Sequence, residues 1–223
     1  MHLFDMRGAW DPWHVHLWDF CVSRRIVPLY ERFAEETAPR LPPAGRVLDV
    51  GCGIGRAAAL LARRAPRVEF VGVDLSPEMI GRALREPGFP PNLSYRVGDA
   101  MALPFETGAF DAAYSIASIK HWPDGERGVR EMVRVVRPGG MVLVLEADRA
   151  PARDVTARFV RRWYAPPFAV PVLSLYFRWF VAGRGYSAAD LRGMLERAGL
   201  RDVVDVTDTQ EPVVFAYGTK PAG

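Results

Sequence analysis

Apolar positions along this chain fall into two rhythms. Five short, nearly unbroken apolar runs, at 46–50, 68–73, 93–97, 110–115 and 141–145, predict buried strands, being too short for helices. Amphipathic stretches lie between them. Residues 56–64, rich in alanine and leucine, predict a helix, and so do residues 126–136, stopped by Arg137-Pro138-Gly139-Gly140. Ser76-Pro77-Glu78 supplies an N-cap, a proline at the first helical position and an acid in the first turn. Ser187 caps a further helix with Asp190 at its third position, and Gly199 ends it. Two last strands, 201–206 and 213–217, are close enough to pair antiparallel. Strand–helix alternation with apolar strands predicts an α/β fold: a doubly wound, mostly parallel sheet covered on both faces.

Two stretches break the rhythm. Near the N-terminus Trp10, His14 and Trp18 recur every four residues, with Trp13, Leu17 and Cys21 beside them, which predicts a helix with one wide apolar face. Pro39, Pro42 and Pro43 close that segment. At about 148–183 an insertion rich in arginine and aromatic residues follows the fifth strand. The expected organisation is an N-terminal helical cover, 1–44, and one α/β domain, 45–223, that carries the insertion.

Composition narrows the function classes. With 223 residues, 49% of them hydrophobic and 25% charged, the chain reads as a single globular domain. Net charge is +3, and no basic block is long enough for a nucleic-acid footprint. Two cysteines, Cys21 and Cys52, make neither a disulfide framework nor a zinc site. His14 and His16 on a helix point about 200° apart and cannot share an ion, so no metal is expected. The N-terminus carries Asp5 and Asp11 and lacks the order of a secretory signal. The apolar run 163–177 is too short to span a bilayer and holds Pro166, Pro167 and Pro171. A cytoplasmic location is expected.

The chemistry gathers at strand ends. Val47-Leu48-Asp49-Val50-Gly51-Cys52-Gly53-Ile54-Gly55 is a strand running into a glycine loop that brings a ligand close to backbone and to the next helix. Asp74 ends the second strand, where a carboxylate can accept both hydroxyls of a ribose, and Leu75 can lie against a purine. Asp99 follows the third strand and can accept from an exocyclic amine. One such Asp alone reads as a turn residue; three consecutive strand ends with ligand-type groups read as a binding edge. Dinucleotide folds want Gly-x-Gly-x-x-Gly, whereas here the spacing is Gly-x-Gly-x-Gly and Arg56 stands at the third-glycine position. A nucleoside without a pyrophosphate fits better, and a nicotinamide oxidoreductase is the weakest reading.

Those segments, with Val71-Gly72-Val73-Asp74-Leu75-Ser76-Pro77-Glu78-Met79, Gly98-Asp99-Ala100-Met101-Ala102-Leu103-Pro104-Phe105, Phe110-Asp111 and Arg134-Val135-Val136-Arg137-Pro138-Gly139-Gly140, carry a resemblance. Over about 45–147 the chain resembles the class I S-adenosylmethionine-dependent methyltransferases, within them the group of ubiquinone/menaquinone C-methyltransferases and many natural-product methyltransferases. The resemblance implies a Rossmann-like sheet of seven strands, the last antiparallel, and S-adenosyl-L-methionine as cofactor. It implies that backbone at Gly51 and Gly53 holds the methionine part and Asp49 supports the loop, with Cys52 as the loop's small residue. It implies that Asp74 binds the ribose, that Leu75 and Met79 flank the adenine, and that Asp99 and the Ala100 backbone read its amine edge. It places Ser115 near the sulfonium.

Methyl transfer needs in-line positioning, and a base only for a protonated acceptor. His121, in Lys120-His121-Trp122-Pro123-Asp124 after the fourth strand, is the base candidate; one histidine without a visible partner reads first as a residue that caps or packs under the next helix. The Asn/Asp-Pro-Pro-Tyr/Phe segment of amino-methylating DNA and protein-glutamine enzymes is absent there, which lowers a nucleic-acid base as substrate. The expected acceptor is a small, apolar or aromatic molecule. A lipid or quinone methyltransferase at a membrane surface and a non-catalytic cofactor-binding module are the alternatives. For the insertion three readings stand: a substrate lid, an interfacial membrane patch, and core or dimer packing.

Overall fold

The structure is a computed structural model that describes residues 27–162 and 166–222. The expected aromatic helix with Trp10, His14 and Trp18 lies outside the described residues, as do Trp163 and Tyr164.

Seven strands form one sheet: β1 Gly45–Val50, β2 Val68–Asp74, β3 Leu93–Val97, β4 Phe110–Ile116, β5 Val136–Ala147, β6 Arg201–Thr207 and β7 Val213–Thr219. Their order is β3-β2-β1-β4-β5-β7-β6. The first five pair in parallel, while β7 runs antiparallel to both β5 and β6. Strand order reverses between β1 and β4, and ligands of open α/β sheets bind beyond the carboxyl ends at such a point. Register puts Asp49 of β1 level with Gly72 of β2 and Tyr114 of β4.

The helices are α1 Val27–Thr37, α2 Arg56–Arg64, α3 Pro77–Ala83, α4 Gly125–Val135, α5 Arg153–Arg161, α6 Val170–Tyr176 and α7 Ala188–Arg197. Because side chains alternate along a strand, neighbours enter different cores. Val47 joins Leu29 and Phe33 of α1, Leu61 of α2, Phe159 of α5, and Phe177 on one face. Leu48 joins Val129 and Met132 of α4 and Leu191 and Leu195 of α7 on the other. Each such side chain, fully buried, stabilises the fold by about 1.5–3 kcal/mol relative to exposure.

The expected caps form. Ser76 accepts from the Met79 N–H at the start of α3, and Ser187 and Asp190 make a capping box at the start of α7. One boundary differs. Arg137-Pro138-Gly139-Gly140 follows the end of α4, as expected, but β5 begins at Val136 rather than Met141 and so includes it, where the pairing with β4 shifts register between Phe110 and Ala112. A bulge tolerates proline and glycine that a regular ladder would not. Gly140 is required there because a Cβ would strike the Asp111 carbonyl. The carbonyls left at the end of α4 are taken by Lys220, whose Nζ donates to Val133 O at 2.8 Å and Val136 O at 2.7 Å.

Candidate active site

A cavity of about 140 Å³ opens at the carboxyl ends of β1, β2 and β4. The glycine loop forms one wall. The N–H groups of Gly51 and Cys52 both donate to Val73 O, at 2.8 and 3.0 Å, so the loop folds back over β2. Gly53 N donates to Asp74 Oδ2 and Ser76 N to Asp74 Oδ1, each at 2.9 Å. One carboxylate thus fastens the ends of two strands and faces the cavity. Burial raises its pKa, opposed by the two N–H groups.

Two glycines of this loop serve different purposes. Gly51 has φ +75°, and a Cβ on it would run into the Ser118 side chain. Gly53 has φ +55°, and a Cβ on it would meet nothing within 4 Å. The first glycine lets the segment after β4 close on the loop; the second leaves its backbone open to the cavity.

Asp49 is buried beneath the loop. Burial pushes its carboxyl up to about 8; the Tyr114 hydroxyl opposes the rise and the Asp74 charge adds to it. The Cys52 thiol is held protonated by burial and by the neighbouring charges of Asp49 and Asp74. Leu75 is 42% exposed over the cavity, while Met79 is buried at its edge. Asp99 Oδ1 accepts the Met101 N–H at 2.9 Å, and Ala100 lines the wall beside it.

The structure therefore brings Asp49, Gly51, Cys52, Gly53, Asp74, Leu75, Met79, Asp99, Ala100 and His121 around one cavity. It does not bring Ser115 there. Ser115 is fully buried, β4 runs on to Ile116, and alternation sends the Ser115 side chain away from the face that Tyr114 and Ile116 share. Ile116, Ala117 and Ser118 line the cavity instead.

The segment after β4 is firmly held. Ala117 adopts φ +52°, a strained position for a side-chain-bearing residue. Its carbonyl accepts from Lys120 Nζ at 2.6 Å, and the same ammonium pairs with Glu146 Oε2 at 3.0 Å. Trp122 Nε1 donates to Ser118 Oγ at 3.0 Å. The Trp122 ring lies against Gly128 of α4, where a Cβ would overlap it. Burial, with the positive charges of Lys120 and Arg184, pushes His121 down to about 3. Its imidazole is neutral at physiological pH and is a weak base.

Tyr30 of α1 also lines the cavity. Sequence reasoning does not single it out, because a tyrosine within an amphipathic helix looks like any core residue. A glycine inside α4 was a usable signal for Trp122, since such glycines mark close packing.

A methyltransferase domain family matches residues 48–144. The 2-methyl-6-phytyl-1,4-hydroquinone methyltransferase of Synechocystis sp. is 36% identical over 140 residues, covering 58% of this chain and 43% of that protein. The chain thus spans less than half of that relative's length. The O-methyltransferase cnsE of Penicillium expansum is 31% identical over 220 residues, covering 95% of this chain and 72% of that protein. Among solved structures, a putative S-adenosyl-L-methionine-dependent methyltransferase of Methanococcus maripaludis superposes with a TM-score of 0.74 at 19% identity, covering 96% of this chain and 94% of that one. The sheet order, the glycine loop tied to Asp74 and these matches converge: the chain belongs to the S-adenosylmethionine-dependent methyltransferase family.

Proposed function

We propose that this chain transfers a methyl group from S-adenosylmethionine to a small, apolar or aromatic acceptor. The observation that carries the cofactor reading is Asp74. Its carboxylate stands at the end of β2, fixed by Gly53 N and Ser76 N, and faces the cavity. The remaining lone pairs of that carboxylate suit a ribose diol. Gly53 offers open backbone to the methionine part, with Gly51 beside it and Asp49 beneath. Leu75 and Met79 supply the apolar sides of an adenine slot, and Asp99 with the Ala100 backbone supplies its polar edge. When bound, the cofactor supplies an activated methyl group on a sulfonium.

The rest of the chemistry falls to the protein's own residues. Tyr30, Ile116 and Trp122 line the cavity and suit an apolar or aromatic acceptor. Relatives named for hydroquinone and O-methyl transfer support that class. Among the described residues His121 is the histidine at the cavity, and it takes the acceptor's proton where the acceptor carries one. A neutral imidazole can accept it, although its low basicity gives little driving force. Orientation therefore supplies most of the rate. A cover formed by residues 1–44 over the domain 45–223, and a cytoplasmic location, belong to the same reading. A free thiol at Cys52 suits a reducing compartment.

The test uses purified protein, methyl-labelled S-adenosylmethionine and an extract of the source cells, with label partitioned between organic, aqueous and macromolecular fractions. Label in the organic phase is the expected result. Label in protein or nucleic acid overturns the acceptor class, and no label despite measured cofactor binding overturns catalysis.

A further inference from the structure

Beneath the glycine loop runs a row of acidic groups. Register puts Asp49 of β1 level with Tyr114 of β4 and Gly72 of β2, and Gly72 level with Tyr95 of β3, so all four positions share one face of the sheet. Gly72 is the gap in that row: a Cβ there would strike the Tyr95 ring and Cys52 Sγ, which close over it. The Tyr95 hydroxyl donates to Gly55 O at 3.0 Å. Asp74, two residues beyond Gly72, points the same way. Two carboxylates, two phenols and a thiol therefore adjoin, and no basic residue acts on either carboxylate. The cavity's other ionisable side chains, Tyr30, Arg56, Asp99 and His121, are not among the groups that act on Asp49. Neighbouring buried carboxylates cannot both ionise without a compensating cation. The N–H groups of Gly53 and Ser76 favour the charge on Asp74, which leaves the proton on Asp49, 2% exposed at the cavity floor.

Sheet order decides what comes next to that proton. β1 lies between β2, which ends in Asp74, and β4, whose outgoing residues Ile116, Ala117 and Ser118 line the cavity. On the cofactor reading proposed above, on which this inference rests, Asp74 holds the ribose and the segment after β4 faces the acceptor. The cofactor's sulfur then falls between them, over the end of β1. We propose that Asp49 tells the two forms of the cofactor apart by charge, giving up its proton to water when the sulfonium form binds and keeping it when the thioether product binds. A fixed positive charge favours the carboxylate, and the neutral thioether does not. Methyl transfer breaks the sulfur–methyl bond, leaves its electron pair on sulfur and forms the acceptor–methyl bond; with the positive charge gone, Asp49 takes a proton back from water. Its carboxyl, pushed up to about 8 by burial, has that proton to give at neutral pH. The Tyr95 and Tyr114 hydroxyls and the Cys52 thiol, raised by burial, stay protonated, and His121, pushed down to about 3, stays neutral, so none of these supplies it. Asp74 meets the same ribose in both forms and cancels from the comparison.

The test is calorimetric titration of the full chain, without acceptor, with S-adenosylmethionine and with S-adenosylhomocysteine at neutral pH. Each titration is run in phosphate and in Tris, whose different heats of ionisation give the protons exchanged. Wild type is expected to release roughly one proton more with S-adenosylmethionine, so that its preference for that form grows by up to about tenfold per pH unit below about 8. In Asp49→Asn the difference disappears. Tyr114→Phe removes a hydroxyl that favours the carboxylate, so it keeps the difference and moves it to higher pH. Equal proton release by the two ligands in wild type, a difference that survives Asp49→Asn, or one that Tyr114→Phe leaves at the same pH would each overturn the inference. Failure of both ligands to bind wild type would overturn the cofactor reading, and the inference with it.

Discussion

Lys120 Nζ lies 3.0 Å from Glu146 Oε2, an ion pair almost wholly removed from solvent in the turn that carries His121. Glu146 also accepts the N–H groups of Lys120 at 3.3 Å and Ala147 at 3.1 Å. Truncating one partner strands a buried charge. Glu146→Ala is therefore expected to cost about 3–5 kcal/mol, and replacing both partners with apolar residues to cost less than that. Urea denaturation of the single and double variants checks this. A double variant as unstable as the sum of the singles would contradict it.

His121 gives stability a dependence on acid. The unfolded chain protonates a histidine near about 6.5, whereas the folded chain keeps His121 neutral down to about 3. The unfolded state binds the proton first, so this contribution is complete above about 6.5 and is lost as pH falls toward 3. His121→Gln should flatten the denaturation midpoint across that window. In turnover, His121→Gln is expected to lose about 10²-fold, at the low end for acid–base groups, with cofactor affinity retained. Full turnover in the variant would leave His121 as packing alone.

Asp49 acts in the opposite sense. The unfolded chain releases its proton near about 4, whereas burial holds it in the folded chain up to about 8. The folded state binds more protons in between, so stability from this group is complete below about 4 and is lost as pH rises through about 8. Midpoints of cofactor-free wild type and Asp49→Asn, compared at acid and alkaline pH, should show the variant gaining relative stability in alkali. Parallel profiles would rule out a protonated Asp49.

The two loop glycines separate architecture from ligand space. Gly53→Ala places a methyl group in the open cavity, at a conformational cost of about 1–2 kcal/mol. Gly51→Ala adds to a similar cost an overlap with Ser118. Cofactor affinity should fall in both, and thermal stability should fall more in Gly51→Ala. Equal destabilisation would mean that Ser118 yields freely.

Much of this arrangement is legible in the sequence because it depends on local rules. Apolar runs mark β1 to β5, Ser76 and Ser187 announce their helices, and glycine spacing with Asp74 and Asp99 points to a nucleoside edge. What escapes depends on long-range placement. Ser115 sits one residue short of the strand end, and one residue reverses the direction of a side chain. Pro138 and the adjoining glycines do follow the end of α4, but nothing local reveals that they form a bulge opposite Asp111 and carry β5 back to Val136. Tyr30 reaches the cavity from another layer of the fold. The exposure of Phe168 and Trp179, on either side of α6, escapes because an unbroken apolar run reads simply as buried.

If Asp74 is the ribose ligand, calorimetric titration of S-adenosylhomocysteine gives a single saturable site in wild type, weakened by about 1.5–3 kcal/mol in Asp74→Ala, with the fold intact by circular dichroism. Unchanged affinity in Asp74→Ala, or no binding to the wild-type chain, would contradict it.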